Sequence, residues 1–194
     1  MEQQFMKTAF FDFDGVVVDT EPIYDIYWNE AGERYQTGIP NFASHIKGTT
    51  LPYILDKYFS DRSEEFKEMV TRESMDFEQK MPFPPVPGAM EFIHLLKGKG
   101  VKVGLVTSSD NAKLERAFRL LKLDNLFDTV VSADRITKGK PDPMCYQLAA
   151  SDLHVSPADC LVFEDSFAGI QAGTNAGMRV IGLSTTNSEE SLKD

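Results

Sequence analysis

The sequence predicts an α/β protein in which a parallel sheet is flanked by helices and interrupted early by a small helical insertion. Three observations support this fold class. Short β-rich runs at 8–13, 101–106, 129–132, 161–163 and 179–183 alternate with helical patterns, the order that builds a parallel sheet covered on both faces. Between Thr20 and Pro85 the strand signal gives way to apolar residues at helical spacing. The stretch Met81-Pro82-Phe83-Pro84-Pro85-Val86-Pro87 then returns the chain through a segment that four prolines stiffen and keep out of a helix. The expected organisation is a core built from 1–19 and 86–194, with a helical domain at 20–85.

Each element has its own local reason. The run from Thr8 to Phe13 is apolar around its acid, as suits a buried strand. In the insertion, Leu51, Ile54, Leu55, Tyr58 and Phe59 form one helical stripe, and Phe66, Met69, Val70 and Phe77 form another. After Pro87, Ala89, Phe92, Ile93 and Leu96 repeat the helical template, and Leu114, Ala117, Phe118 and Leu121 do so after an Asp110 cap. Pro141 reads as the start of a further helix, and Pro157 with Asp159 as a turn into the next strand. The polar, acidic tail from Thr185 reads as a solvated end.

Composition excludes several classes. With 42% hydrophobic and 26% charged residues in 194, the chain is an ordinary globular one. A formal charge of −10 opposes nonspecific binding to nucleic acid or an anionic membrane. An anionic small ligand would need a local cation. No basic segment with an apolar stretch opens the chain, and no later run reaches the ~18 apolar residues that span a bilayer. Cys145 and Cys160 have no metal-ligand spacing, which fits buried structural thiols in a reducing cytoplasm. No obligate protein partner is implied.

The chemistry-bearing residues gather at strand ends. Phe10-Phe11-Asp12-Phe13-Asp14-Gly15 closes the first strand with two acids, and residues two apart in a strand share a face. Unpartnered buried like charges are costly, so a divalent cation on hard oxygen ligands is the economical explanation. Thr107-Ser108-Ser109 ends the second strand just before the Asp110 cap, where hydroxyls can bond a phosphate oxygen. A bare helix cap is the bland alternative. Lys138-Gly139-Lys140-Pro141 fixes the backbone near an ammonium, and Glu164-Asp165-Ser166 follows a buried strand with small residues behind it.

These four clusters, in this order and spacing across nearly the whole chain, resemble the haloacid dehalogenase superfamily, in its β-phosphoglucomutase-like phosphatase subgroup. The resemblance implies a Rossmann-like core with a helical cap inserted after the first motif. It implies that Asp12 is the nucleophile forming an aspartyl phosphate and that Asp14 is the acid and base, the second acid that separates these enzymes from dehalogenases. Thr107 matches the second-motif hydroxyl and Lys140 the third-motif lysine. Mg²⁺ would sit on Asp12, the Asp14 carbonyl and Asp165, with Glu164 close by. Gly15, Thr20, Ser108 and Ser109 fall where the phosphate is received, and Lys47, Gly48 and Thr49 match a cap loop that meets the substrate. Lys47 as a plain surface lysine is the competing reading.

Two departures matter for the reaction. Tyr24 stands where β-phosphoglucomutases generally carry His, and Leu51 where they carry an Arg that holds a second phosphate. Without that bidentate cation a bisphosphate is less firmly held, which favours hydrolysis over isomerisation. Family members often continue beyond the position of Leu183, so this chain is either short or trimmed. Tyr24, Tyr27 and Trp28 are read as packing aromatics, and His45, His94 and His154 as ordinary histidines. The expectation is a Mg²⁺-dependent phosphatase for a small phosphorylated metabolite, with a β-phosphoglucomutase or a noncatalytic phospho-ligand regulator as alternatives.

Overall fold

In the computed structural model, which describes residues 7–47, 49 and 51–193, the regular elements follow the predicted alternation. They are β1 (Thr8–Phe11), α1 (Glu21–Arg34), α2 (Phe42–Ile46), α3 (Leu51–Tyr58), α4 (Glu64–Glu78), α5 (Ala89–Gly98), β2 (Lys102–Val106), α6 (Asn111–Leu121), β3 (Thr129–Val131), α7 (Met144–Asp152), β4 (Cys160–Glu164), α8 (Phe167–Asn175) and β5 (Arg179–Gly182). The chain forms two compact units, 1–19 with 83–194, and 20–82.

In the first unit the five strands are all parallel, in the order β3-β2-β1-β4-β5. β1 is central, and all four of its residues are buried. Phe11 stacks on Phe163 of β4 with centroids 4.7 Å apart, and Phe92 of α5 meets Phe163 edge-on at 5.5 Å. Elsewhere in this unit Phe10, Val106, Val131 and Val162 pack with Cys145, Tyr146 and Ala149 of α7. Both cysteines are free and buried, and burial pushes the Cys160 thiol up to about 11, as suits a structural side chain.

The expected Asp110 cap is present, and a second cap sits at Ser166. Asp110 accepts the Lys113 N–H at 2.9 Å, and Ser166 accepts the Gly169 N–H at 3.0 Å. One expectation is corrected: Pro141 follows a cis peptide bond, and α7 begins only at Met144 with Pro143 as its N-cap. The proline-rich return is not loose either. Val86 N–H donates to the Val17 carbonyl at 3.0 Å and Asp19 N–H to the Pro84 carbonyl at 2.7 Å, so outgoing and returning segments run paired.

The second unit holds α1 to α4 around an aromatic core of Trp28, Tyr35, Phe42 and Phe59. Tyr27 stacks on Phe77 with centroids 4.0 Å apart, Trp28 meets Phe42 edge-on, and Tyr24 OH donates to Glu78 at 2.9 Å. These aromatics are packing residues, as expected. Among the described residues no helix is long and apolar enough to cross a membrane.

Candidate active site

Parallel pairing sets the ends of β2, β1 and β4 side by side, and loops beyond the carboxyl ends of such strands converge. Asp12 is the first residue past β1, Thr107 the first past β2, and Glu164 the last of β4, with Asp165 next. Lys140, from the loop before α7, donates to Asp12 Oδ1 at 2.8 Å, Glu164 Oε1 at 2.5 Å and the Val106 carbonyl at 3.2 Å. Glu164 is fully buried. Its Oε1 also accepts from Tyr146 OH at 2.8 Å, and its Oε2 accepts from Ser166 Oγ at 3.1 Å and from the Asp165 and Ser166 N–H groups.

Asp12, Glu164 and Asp165 each bring one carboxylate oxygen within 4.8 Å of the others. Lys140 pairs with two of these three carboxylates. Burial pushes the Asp12 carboxyl well above its usual range, with Glu164 and Asp165 adding to it and Lys140 opposing. Burial also works against the charge on Lys140, but Asp12 and Glu164 outweigh it and hold the ammonium well above the ordinary lysine value. For Glu164 burial favours protonation, and Lys140, Tyr146 and Ser166 together overcome it. Asp12 is thus the acid left without enough positive charge. A hard divalent cation among these oxygens would supply it, so the donor set fits such an ion.

Asp14 has its own set of partners. The strand ends at Phe11, and the N–H groups of Val17 and Val18 both turn back to the Phe13 carbonyl. Strand alternation therefore does not extend to Asp14. Asp14 Oδ1 and Oδ2 accept from Lys113 Nζ at 2.7 and 2.8 Å, and Oδ2 accepts from Ser109 Oγ at 2.8 Å. Thr107 is buried and accepts the Ser109 N–H at 3.0 Å, while Ser108 is exposed. Gly15 has φ +77°, and a Cβ there would overlap the Asp165 carboxylate, so only glycine fits.

The sequence family described as haloacid dehalogenase-like hydrolase matches residues 9–183. The chain belongs to this family. It is 33% identical over 187 residues to the phosphorylated carbohydrates phosphatase of Thermotoga maritima, covering 92% of this chain and 85% of that protein. It is 33% identical over 192 residues to the beta-phosphoglucomutase of Bacillus subtilis, covering 92% and 83%. The crystal structure of a HAD hydrolase, family IA, variant 3, from Entamoeba histolytica matches with a TM-score of 0.83 and 26% identity, covering 96% of this chain and 88% of that one.

For this haloacid dehalogenase-like hydrolase, the remaining expected site residues fall as follows. Thr20 is the buried N-cap of α1. Lys47 donates to Asp25 at 3.1 and 3.2 Å and lies 3.4 Å from Glu21, so it is an ion-paired residue of the helical unit. Thr49 is exposed and its hydroxyl donates to the Ile46 carbonyl; Gly48 lies outside the described residues. The three histidines are exposed and none joins the acidic cluster. The tail is not simply solvated. Thr186 donates to Asp165 Oδ2, Asn187 Nδ2 to the Asp165 carbonyl at 2.9 Å, and Thr185 to the Gly15 carbonyl. Its polar side chains serve buried acceptors, which local composition does not announce.

Lys113, Tyr146 and Thr186 are the residues that sequence reasoning missed. None has a local signal: a helical lysine, an aromatic at a core position and a tail threonine are all commonplace. Behind Glu164, α8 approaches so closely that a Cβ at Gly169 would overlap the carboxylate. Gly169→Ala is therefore expected to cost about 1–3 kcal/mol in urea unfolding and to lower activity by displacing Glu164. An unchanged midpoint would show that Glu164 is free to move.

Proposed function

We propose that this protein is a magnesium-dependent cytoplasmic phosphatase that hydrolyses a small phosphorylated metabolite, a sugar phosphate, through an aspartyl-phosphate intermediate. The observation that carries this reading is buried Asp12, held 2.8 Å from Lys140 beside the Glu164 and Asp165 acids. Asp12, the Asp14 carbonyl and Asp165 would hold Mg²⁺, with Glu164 next to them. When bound, Mg²⁺ supplies the positive charge that lets a phosphate ester approach a carboxylate.

An Asp12 oxygen attacks phosphorus, and the bond from phosphorus to the ester oxygen breaks. Asp14 gives its proton to the departing alcohol. It then takes a proton from water as the water oxygen attacks the phosphoaspartate, releasing phosphate and restoring Asp12. Lys140 and the Thr107 hydroxyl stabilise charge on the equatorial phosphate oxygens, the main task in phosphoryl transfer. Recognition of the leaving group is assigned to Lys47, Gly48 and Thr49 on sequence resemblance alone.

The Thermotoga maritima relative, named for phosphorylated carbohydrates, supports the substrate class. The Bacillus subtilis relative favours a second reading, a phosphoryl-transfer isomerase; Leu51 and Tyr24 weigh against it. A panel of phosphate esters with Mg²⁺ is expected to release inorganic phosphate from at least one sugar phosphate, and EDTA to abolish that release. Hexose 6-phosphate accumulating without free phosphate, from β-glucose 1-phosphate primed with glucose 1,6-bisphosphate, would overturn the phosphatase choice.

A further inference from the structure

We propose that Lys113 is a positioning residue that anchors Asp14 for the water-activating half of the reaction, an inference that rests on the phosphatase reading. Its ammonium spans both Asp14 oxygens at 2.7 and 2.8 Å, with side chains only 7% and 19% exposed. The anchor is itself fixed. The Lys113 N–H is held by Asp110 at 2.9 Å, Asn111 N–H is held by Asp134 at 2.7 Å, and the Asn111 side chain accepts from Ser132 at 2.7 Å. The first turn of α6 is thus held by its own cap and by the segment just after β3.

Asp14 follows Asp12 by two residues, and a base that activates water works only while it is held in place. Lys113 and Ser109 hold it, and a lysine on a flexible stem can yield the carboxylate to water and recover it. Loss of this anchor leaves Asp12 and its partners intact and affects the step in which Asp14 is the base.

p-Nitrophenyl phosphate separates the two halves, because nitrophenolate leaves without needing a proton. With saturating Mg²⁺, Lys113→Met is expected to show a wild-type burst of nitrophenolate but steady turnover slower by about tenfold to a hundredfold. Lys113→Arg is expected to restore most of the turnover, and Lys113→Met added to Asp14→Asn to change turnover less than twofold. Equal slowing of burst and turnover, turnover within twofold of wild type, or full additivity with Asp14→Asn would each overturn the proposal. A normal burst from Asp12→Asn would instead sink the phosphatase reading beneath it.

Discussion

Asp12→Asn is expected to abolish turnover, by at least about a thousandfold, while leaving the protein as stable as the wild type or more so. The two halves have one cause. Asp12 supplies the oxygen proposed to attack phosphorus, and an amide cannot replace it. Yet burial, with Glu164 and Asp165, already disfavours the ionised form of Asp12 when no cation is bound. A neutral isostere removes that cost and leaves Lys140 paired with Glu164. The sign with pH follows from linkage. A carboxyl whose folded value is raised stabilises the fold below its ordinary value, and that contribution is lost as pH rises towards the folded value. In EDTA the wild type should therefore lose stability relative to Asp12→Asn as pH climbs above the usual carboxylate range. Phosphate release and urea midpoints across pH measure both parts. Wild-type turnover would defeat the nucleophile assignment, and a widening deficit for the variant with rising pH would defeat the charge argument.

Lys140→Met is expected to be the most destabilising single change in the site, at about 3–5 kcal/mol, and to be inactive as well. The lysine side chain is 7% exposed and donates to two acids and the Val106 carbonyl. Methionine keeps most of its length but strands Asp12 beside a fully buried Glu164. The coupling can be read directly. Adding Glu164→Gln to Lys140→Met should recover part of the loss, because it removes one of the stranded charges, so the two changes should not add. Urea unfolding of the single and double variants checks this. A cost below about 1 kcal/mol would mean that the acids are better solvated than their burial indicates.

The sheet was legible because buried parallel strands write themselves as short apolar runs, and the two helices after Pro87 and Asp110 because caps and spacing are local. Asp12, Lys140, Glu164 and Asp165 were legible as strand-end chemistry, and the structure brings them together. The partners of Asp14 were not. Alternation of side chains holds only while a strand lasts, and β1 stops at Phe11. Its partners Ser109 and Lys113 lie 95 and 99 residues further along, so no local pattern links them to the acid. Tyr146 and Thr186 were hidden for the same reason. Pro141 was misread because a proline permits a helix start without requiring one, and the chain needs three more residues to carry Lys140 inward before α7 begins.

The central place of β1 has a consequence for synthesis. Its neighbour β4 begins about 150 residues after β1 does, which at typical ribosomal speeds is a delay of roughly 8–30 s. Throughout that interval a strand whose four residues are all buried in the finished fold lacks one of its flanking partners. The nascent protein is thus expected to need shelter from aggregation at its first strand until β4 has emerged.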